Sequence, residues 1–157
     1  MDVRLARGSL EDVWVMRVPP GADLYRSIQD VAREHGIQSG LILGGAASLR
    51  TAVLRNLRRF PDFPVTDDDR RFFKLEAPLE MLSISGNIST LNGQVWIHAH
   101  VVVSSGTEEG RCYGGHLVGG SEVLTTAEIA IAKLGGLEML RLKDPETVGA
   151  ELFFKTP

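Results

Sequence analysis

Between Gln94 and Ser104 the chain reads QVWIHAHVVVS, and every odd position, Val95, Ile97, Ala99, Val101 and Val103, is apolar. Strict alternation has the period of a β-strand with one face in a core and the other turned away from it. A helix does not accommodate the pattern, because at 3.6 residues per turn the apolar set would wind around the whole cylinder. The segment therefore demands a sheet. Its outward face carries Gln94, Trp96, His98, His100, Val102 and Ser104, which sets the two histidines roughly 7 Å apart along the strand.

The flanking segments extend the same logic. LEMLSISGNIS (79–89) precedes Asn92-Gly93, a pair that tolerates positive φ and signals a tight hairpin into the 94–104 strand. RCYGGHLV (111–118) reads as the next strand. In SEVLTTAEIAIAKL (121–134) alanine and glutamate favour helix, but Val123, Thr125, Ile129 and Ile131 alternate, and with strands on either side it is read as a strand. A final pair is expected at 137–143 and 148–154, and a first strand at 11–18. The apolar run GLILGGAASLRTAVLRNL (40–57) is read as one strand bending into a second at Gly44-Gly45.

Only one segment has helical period. Leu24, Ile28, Val31 and Ala32 recur at that spacing, with Asp23 as N-cap, Gly36 as the stop and His35 against the terminal carbonyls. RRFPDFPVTDDDRR (58–71), three aspartates between two arginine pairs, is read as a solvated loop. One helix (about 23–35) packed on runs of strands gives an α+β fold with a mostly antiparallel sheet, in a single domain over residues 1–157. At 157 residues, 43% of them hydrophobic, the chain can bury a real core without staples. Cys112, alone of its type, excludes an internal disulfide and fits a reducing cytoplasm, as does the lack of an apolar leader in Met1 to Gly8. No stretch approaches the roughly 18–20 apolar residues of a membrane span.

Three of the four histidines lie between Trp96 and Leu117. If 94–104 and 111–118 pair antiparallel, directly opposite residues share a face. Any register whose paired numbers sum to an even value then brings His116 beside His98 and His100. Sums of 214 or 216 place it opposite one of them, and an odd sum buries it instead. Three imidazoles on one face make a first shell for a divalent metal, zinc first, with an open position left over. They are also compatible with exposed strand histidines at a pH-sensitive interface. Glu122 and Glu128 share parity on the following strand and are candidates for a further ligand or a hydrogen-bonding support, or for plain surface residues. Gly114-Gly115 before His116 reads as a bulge or a close backbone approach.

The order LEMLSISGNIS, Asn92-Gly93, HAHVVVSS, GGHLVGGSEVLTTAEIAI, preceded by VMRVPPGADLYRSIQDVAREHGIQSGLILGGAASLRTAVL, resembles the PPC (plants and prokaryotes conserved) domain over about residues 11–135. The resemblance implies an α+β homotrimer. In stand-alone prokaryotic members, the histidines matching His98, His100 and His116 form a metal-site cluster. In plant nuclear members the domain trimerises and contacts other regulatory proteins, while a separate AT-hook reads DNA. That hook has no counterpart here: the nearest fragment, Arg7-Gly8-Ser9, lacks the second arginine.

Three function classes remain. The first is a regulatory, homotrimeric module with a three-histidine metal or small-ligand site. The second is a metal-dependent enzyme with cupin-like chemistry, demoted because the glutamate expected about four residues after His-x-His is replaced by Ser104. The third is a weak, non-specific DNA binder using Arg55, Arg58, Arg59, Arg70 and Arg71. A balance of 17 basic to 20 acidic residues opposes that last reading. No catalytic residue is assigned, because the chain offers neither a nucleophile elbow nor a phosphate loop, and Cys112 has no activating setting.

Overall fold

The structure, a computed structural model, describes residues 3–156. Strand β1 spans Ser9–Val18, helix α1 Leu24–Glu34, β2 Gly40–Leu57, β3 Arg70–Leu91, β4 Gln94–Ser105, β5 Cys112–Leu117, β6 Val123–Gly135, β7 Glu138–Lys143 and β8 Ala150–Lys155. The eight strands form one sheet in the order β1-β6-β2-β5-β4-β3-β7-β8, and β2 also pairs with β3. The pairings β2-β5-β4-β3 thus return to β2 and close a ring. All pairs are antiparallel except β3–β7, a short parallel contact through Thr90↔Leu140 and Leu91↔Arg141. The α+β class and the mostly antiparallel sheet are as the alternation requires.

The odd face of β4 is the core face: Ile97, Ala99, Val101 and Val103 are buried. Opposite them lie Ile28 and Leu24 of α1, Leu49 and Leu54 of β2, Ile84 and Ile88 of β3, and Ile129 and Ile131 of β6, all in one apolar cluster. The alternation of 121–134 is therefore a true strand period, with Ala127 on the core face alongside Val123, Ile129 and Ile131. Helix α1 starts where expected, with the Asp23 carboxylate accepting the Arg26 N–H at 2.9 Å. It ends at Gly36 with φ +61. His35 meets the helix end only through its backbone, whose N–H donates to the Val31 carbonyl at 3.0 Å. Its ring stacks on Trp14 with centroids 4.1 Å apart.

Two expectations change. Residues 40–57 are one strand, not two: Gly44, at φ +154, absorbs the bend as a register shift between Ile42 and Gly44 on the β6 side. A bulge adds a residue without breaking the ladder. Strand β3 also starts earlier than residue 79, at Arg70, because Phe73, Leu75 and Ala77 alternate inward against the core. Within the remaining loop Asp69 is only 4% exposed. It accepts the Thr66 N–H at 2.9 Å, the Arg59 Nε–H at 2.6 Å and the Thr66 hydroxyl at 2.8 Å, which together hold its carboxyl at about 2. The loop is thus tied down from within by one of its own aspartates.

Candidate metal centre

β4 and β5 pair with His100 opposite His116, Val102 opposite Gly114 and Ser104 opposite Cys112. Those numbers sum to 216, an even register, so His116 falls on the face of His98 and His100. The ring centroids are 5.2 Å apart for His98–His100, 5.0 Å for His98–His116 and 5.4 Å for His100–His116. One nitrogen from each ring lies within 4.8 Å of the others. The Nε2 atoms of His98 and His100 are 3.2 Å apart. Two nitrogens bound to one tetrahedral ion at about 2.0–2.1 Å stand roughly 3.3 Å apart, so that pair already has the bite a metal needs.

Two arginines flank the triad, and the sequence alone does not reveal this. Arg141 of β7 is only 7% exposed. It reaches across β3 to donate to Asn87 Oδ1 at 3.0 Å and Ser89 Oγ at 3.3 Å, and its Nη2 lies 3.1 Å from His98 Nδ1. A guanidinium has no acceptor, so Nδ1 accepts from it, and the proton of the neutral His98 ring sits on Nε2. For Nε2 to hold a metal, the neutral ring would take the other tautomer, with its proton on Nδ1 and the hydrogen bond from Arg141 to that nitrogen given up. On the other side Arg55 of β2 pairs directly with His116. It therefore belongs to this face and not to a separate basic patch.

These surroundings favour the neutral form, the one that ligates, at His116 and His98. Burial, reinforced by the charge of Arg55, pushes His116 down to about 3. Burial and then Arg141 lower His98. Arg141 and Arg55 are themselves lowered, chiefly by burial.

The two glutamates singled out, Glu122 just before β6 and Glu128 within it, lie elsewhere. Glu122 pairs with Arg50 at 3.0 Å, and Glu128 is exposed opposite Ala46 of β2 and Arg17 of β1. Among the described residues the group that could hold an ion is His98, His100 and His116, with no carboxylate in it. Cys112 is exposed, opposite Ser104 and well along β5 from His116. Gly115 is a close approach: a Cβ there would crowd the Asn56 side chain, whose amide donates to the Gly114 carbonyl at 3.0 Å.

A ring of antiparallel strands, one capped helix and a histidine triad on the outer sheet face define a class of small α+β domains. Within that class the chain belongs to the Plants and Prokaryotes Conserved (PCC) domain family, whose model matches residues 6–135. It is similar to the solved structure of a metal-containing protein from Archaeoglobus fulgidus, with a TM-score of 0.80 and 27% identity over 96% of this chain and 99% of that one. It is also similar to a plant- and prokaryote-conserved (PPC) protein from Pyrococcus horikoshii, with a TM-score of 0.78 and 27% identity over 99% of both chains. In sequence it matches the bifunctional protein GlmU of Synechococcus sp. (strain JA-3-3Ab), 34% identical over 148 residues, 94% of this chain but 21% of that protein. The chain thus spans about a fifth of the length of the curated relatives it matches. None of the described helices is long and apolar enough to cross a membrane.

Proposed function

We propose that this chain is a homotrimeric module holding one divalent metal ion, zinc, through His98, His100 and His116, and that its role is regulatory. The observation that carries the reading is the convergence of three ring nitrogens within 4.8 Å, two of them already at a metal's bite. Zinc follows from the donors: three neutral imidazoles with no thiolate or carboxylate suit a borderline ion in tetrahedral coordination and leave one position open. The metal-containing description of the Archaeoglobus fulgidus neighbour agrees with it. The absence of a carboxylate from the triad disfavours cupin-like catalysis.

Support for the trimer comes from the outer face of the sheet. Directly paired residues share a face, and one such row runs Val13, Ala132, Leu41, Asn87, His98 across β1, β6, β2, β3 and β4. Val13, Val15, Leu41, Leu43 and Trp96 are all exposed large apolar residues. An apolar surface of this kind, leading up to a polar site, is one that a second copy covers. Sedimentation equilibrium at micromolar concentration is expected to return three times the chain mass of 17.1 kDa, and Trp96→Glu to shift it towards monomer. A monomer or dimer for the unaltered chain would refute the trimer.

DNA binding is expected to be weak and without sequence preference. Arg59 is paired with Asp69 at 2.6 Å, Arg70 with Asp67 at 2.8 Å, and Arg58 donates to the Asp68 carbonyl at 2.6 Å. Loop cations satisfied by their own aspartates have little left for phosphates. Anisotropy titrations with AT-rich and GC-rich duplexes should give dissociation constants at or beyond the weak end of the roughly 10⁻⁴–10⁻⁶ M range of non-specific binders. Submicromolar binding with an AT preference at physiological salt contradicts this.

A further inference from the structure

We propose that the open position of this centre is filled by a small oxyanion, a carboxylate or a phosphate, clamped between the metal and the guanidinium groups of Arg55 and Arg141; this rests on the metal reading above. The charges on this face favour an anion. Arg55 stands directly opposite His116, and Arg141 touches His98 at 3.1 Å. Among the described residues neither arginine makes an ion pair, although nine of the other cationic side chains do. Of the nearby acids, Asp67 is paired with Arg70 at 2.8 Å, and Glu151 acts on Arg141 only from a distance, without an ion pair, while accepting from the Thr147 hydroxyl at 3.0 Å.

Arg141 makes the argument sharper. It is more than nine-tenths buried and hydrogen-bonded only to neutral partners, Asn87, Ser89 and His98. A guanidinium buried without a counter-ion is costly. Held rigidly, it is a preformed receptor for a planar or tetrahedral oxyanion. Adding a divalent cation a few ångströms away raises the positive charge further and leaves an anion as the ligand that balances it. The two arginines bracket the triad, Arg55 on the His116 side and Arg141 on the His98 side. An anion with one oxygen on the metal can therefore direct another to a guanidinium.

The test uses the full chain. Zinc uptake is measured first, and acetate and inorganic phosphate are then titrated separately into zinc-loaded protein by calorimetry. Saturable binding of at least one anion is expected, and the anion that binds identifies the ligand as carboxylate or phosphate. Arg55→Gln, at a partly exposed position, and Arg141→Gln should each keep zinc and weaken the anion about tenfold or more, as loss of a charge-assisted hydrogen bond does. Zinc uptake with no saturable anion binding overturns this inference and leaves the metal reading standing. Anion affinity unchanged in Arg55→Gln also overturns it. Failure to take up zinc overturns both.

Discussion

Replacing Gly86 with valine is expected to cost at least about 3 kcal/mol of stability, the upper end of ordinary overpacking. Gly86 lies in β3 between Ser85, which faces His100, and Asn87, which faces His98, and it pairs with Ala99 of β4. A Cβ built there collides with the His98 carbonyl oxygen and comes within 2.8 Å of the Ala99 Cα and 2.9 Å of the His98 carbonyl carbon. All three atoms are backbone, so none can swing aside. β4 must shift, and it carries two of the three histidines. For a domain of this size the melting temperature should fall by roughly 6–12 °C, with metal affinity falling alongside it. A circular dichroism melt that moves by less than about 2 °C would show that the strands are not this close.

His116→Ala is expected to weaken zinc binding on the order of 10²-fold. Structural zinc sites bind with roughly 10–16 kcal/mol shared over four ligands, or about 3 kcal/mol for each one removed. The variant leaves His98 and His100, a two-nitrogen site that a chelator strips readily. His116 follows Gly114-Gly115 in β5, and its ring lies beside the other two imidazoles on the face away from the core, so the fold should survive. Competition against a chromophoric chelator measures the loss. Cys112→Ser serves as the control and should keep the original affinity, because Cys112 is bonded through its thiol to the Gly110 carbonyl at 3.4 Å and lies away from the triad. Equal affinities for His116→Ala and the unaltered chain would remove His116 from the centre.

The triad was legible in the sequence because strand parity is a two-valued variable. Once 94–104 is a strand, His98 and His100 share a face, and the short connection to 111–118 leaves only the register to settle His116. The hairpin was equally legible, since Asn92 at φ 51 and Gly93 at φ 76 adopt the backbone their side chains permit. Glu122 and Glu128 show where parity stops. It assigns a face within a strand but not the neighbour across the sheet, and β2 and β5 stand between β6 and β4. Arg141 was hidden for the same reason. It arrives through a two-residue parallel contact between β3 and β7, more than forty positions from His98 in sequence, with no local pattern to announce it. Arg55 was visible as a charge, but only the β2–β5 pairing reveals that it faces His116. The glycine pair Gly44-Gly45 announces a disturbance in the strand but not its kind, because such a pair marks a bulge and a turn alike.

X-ray absorption at the zinc edge, on untagged protein given one equivalent of zinc, addresses the central claim most directly. The account predicts a four-coordinate ion with three imidazole nitrogens at about 2.0–2.1 Å, one further light atom and no sulfur. A shell containing sulfur, or one of six oxygens without the outer-shell scattering of imidazole rings, would mean that His98, His100 and His116 do not hold the metal.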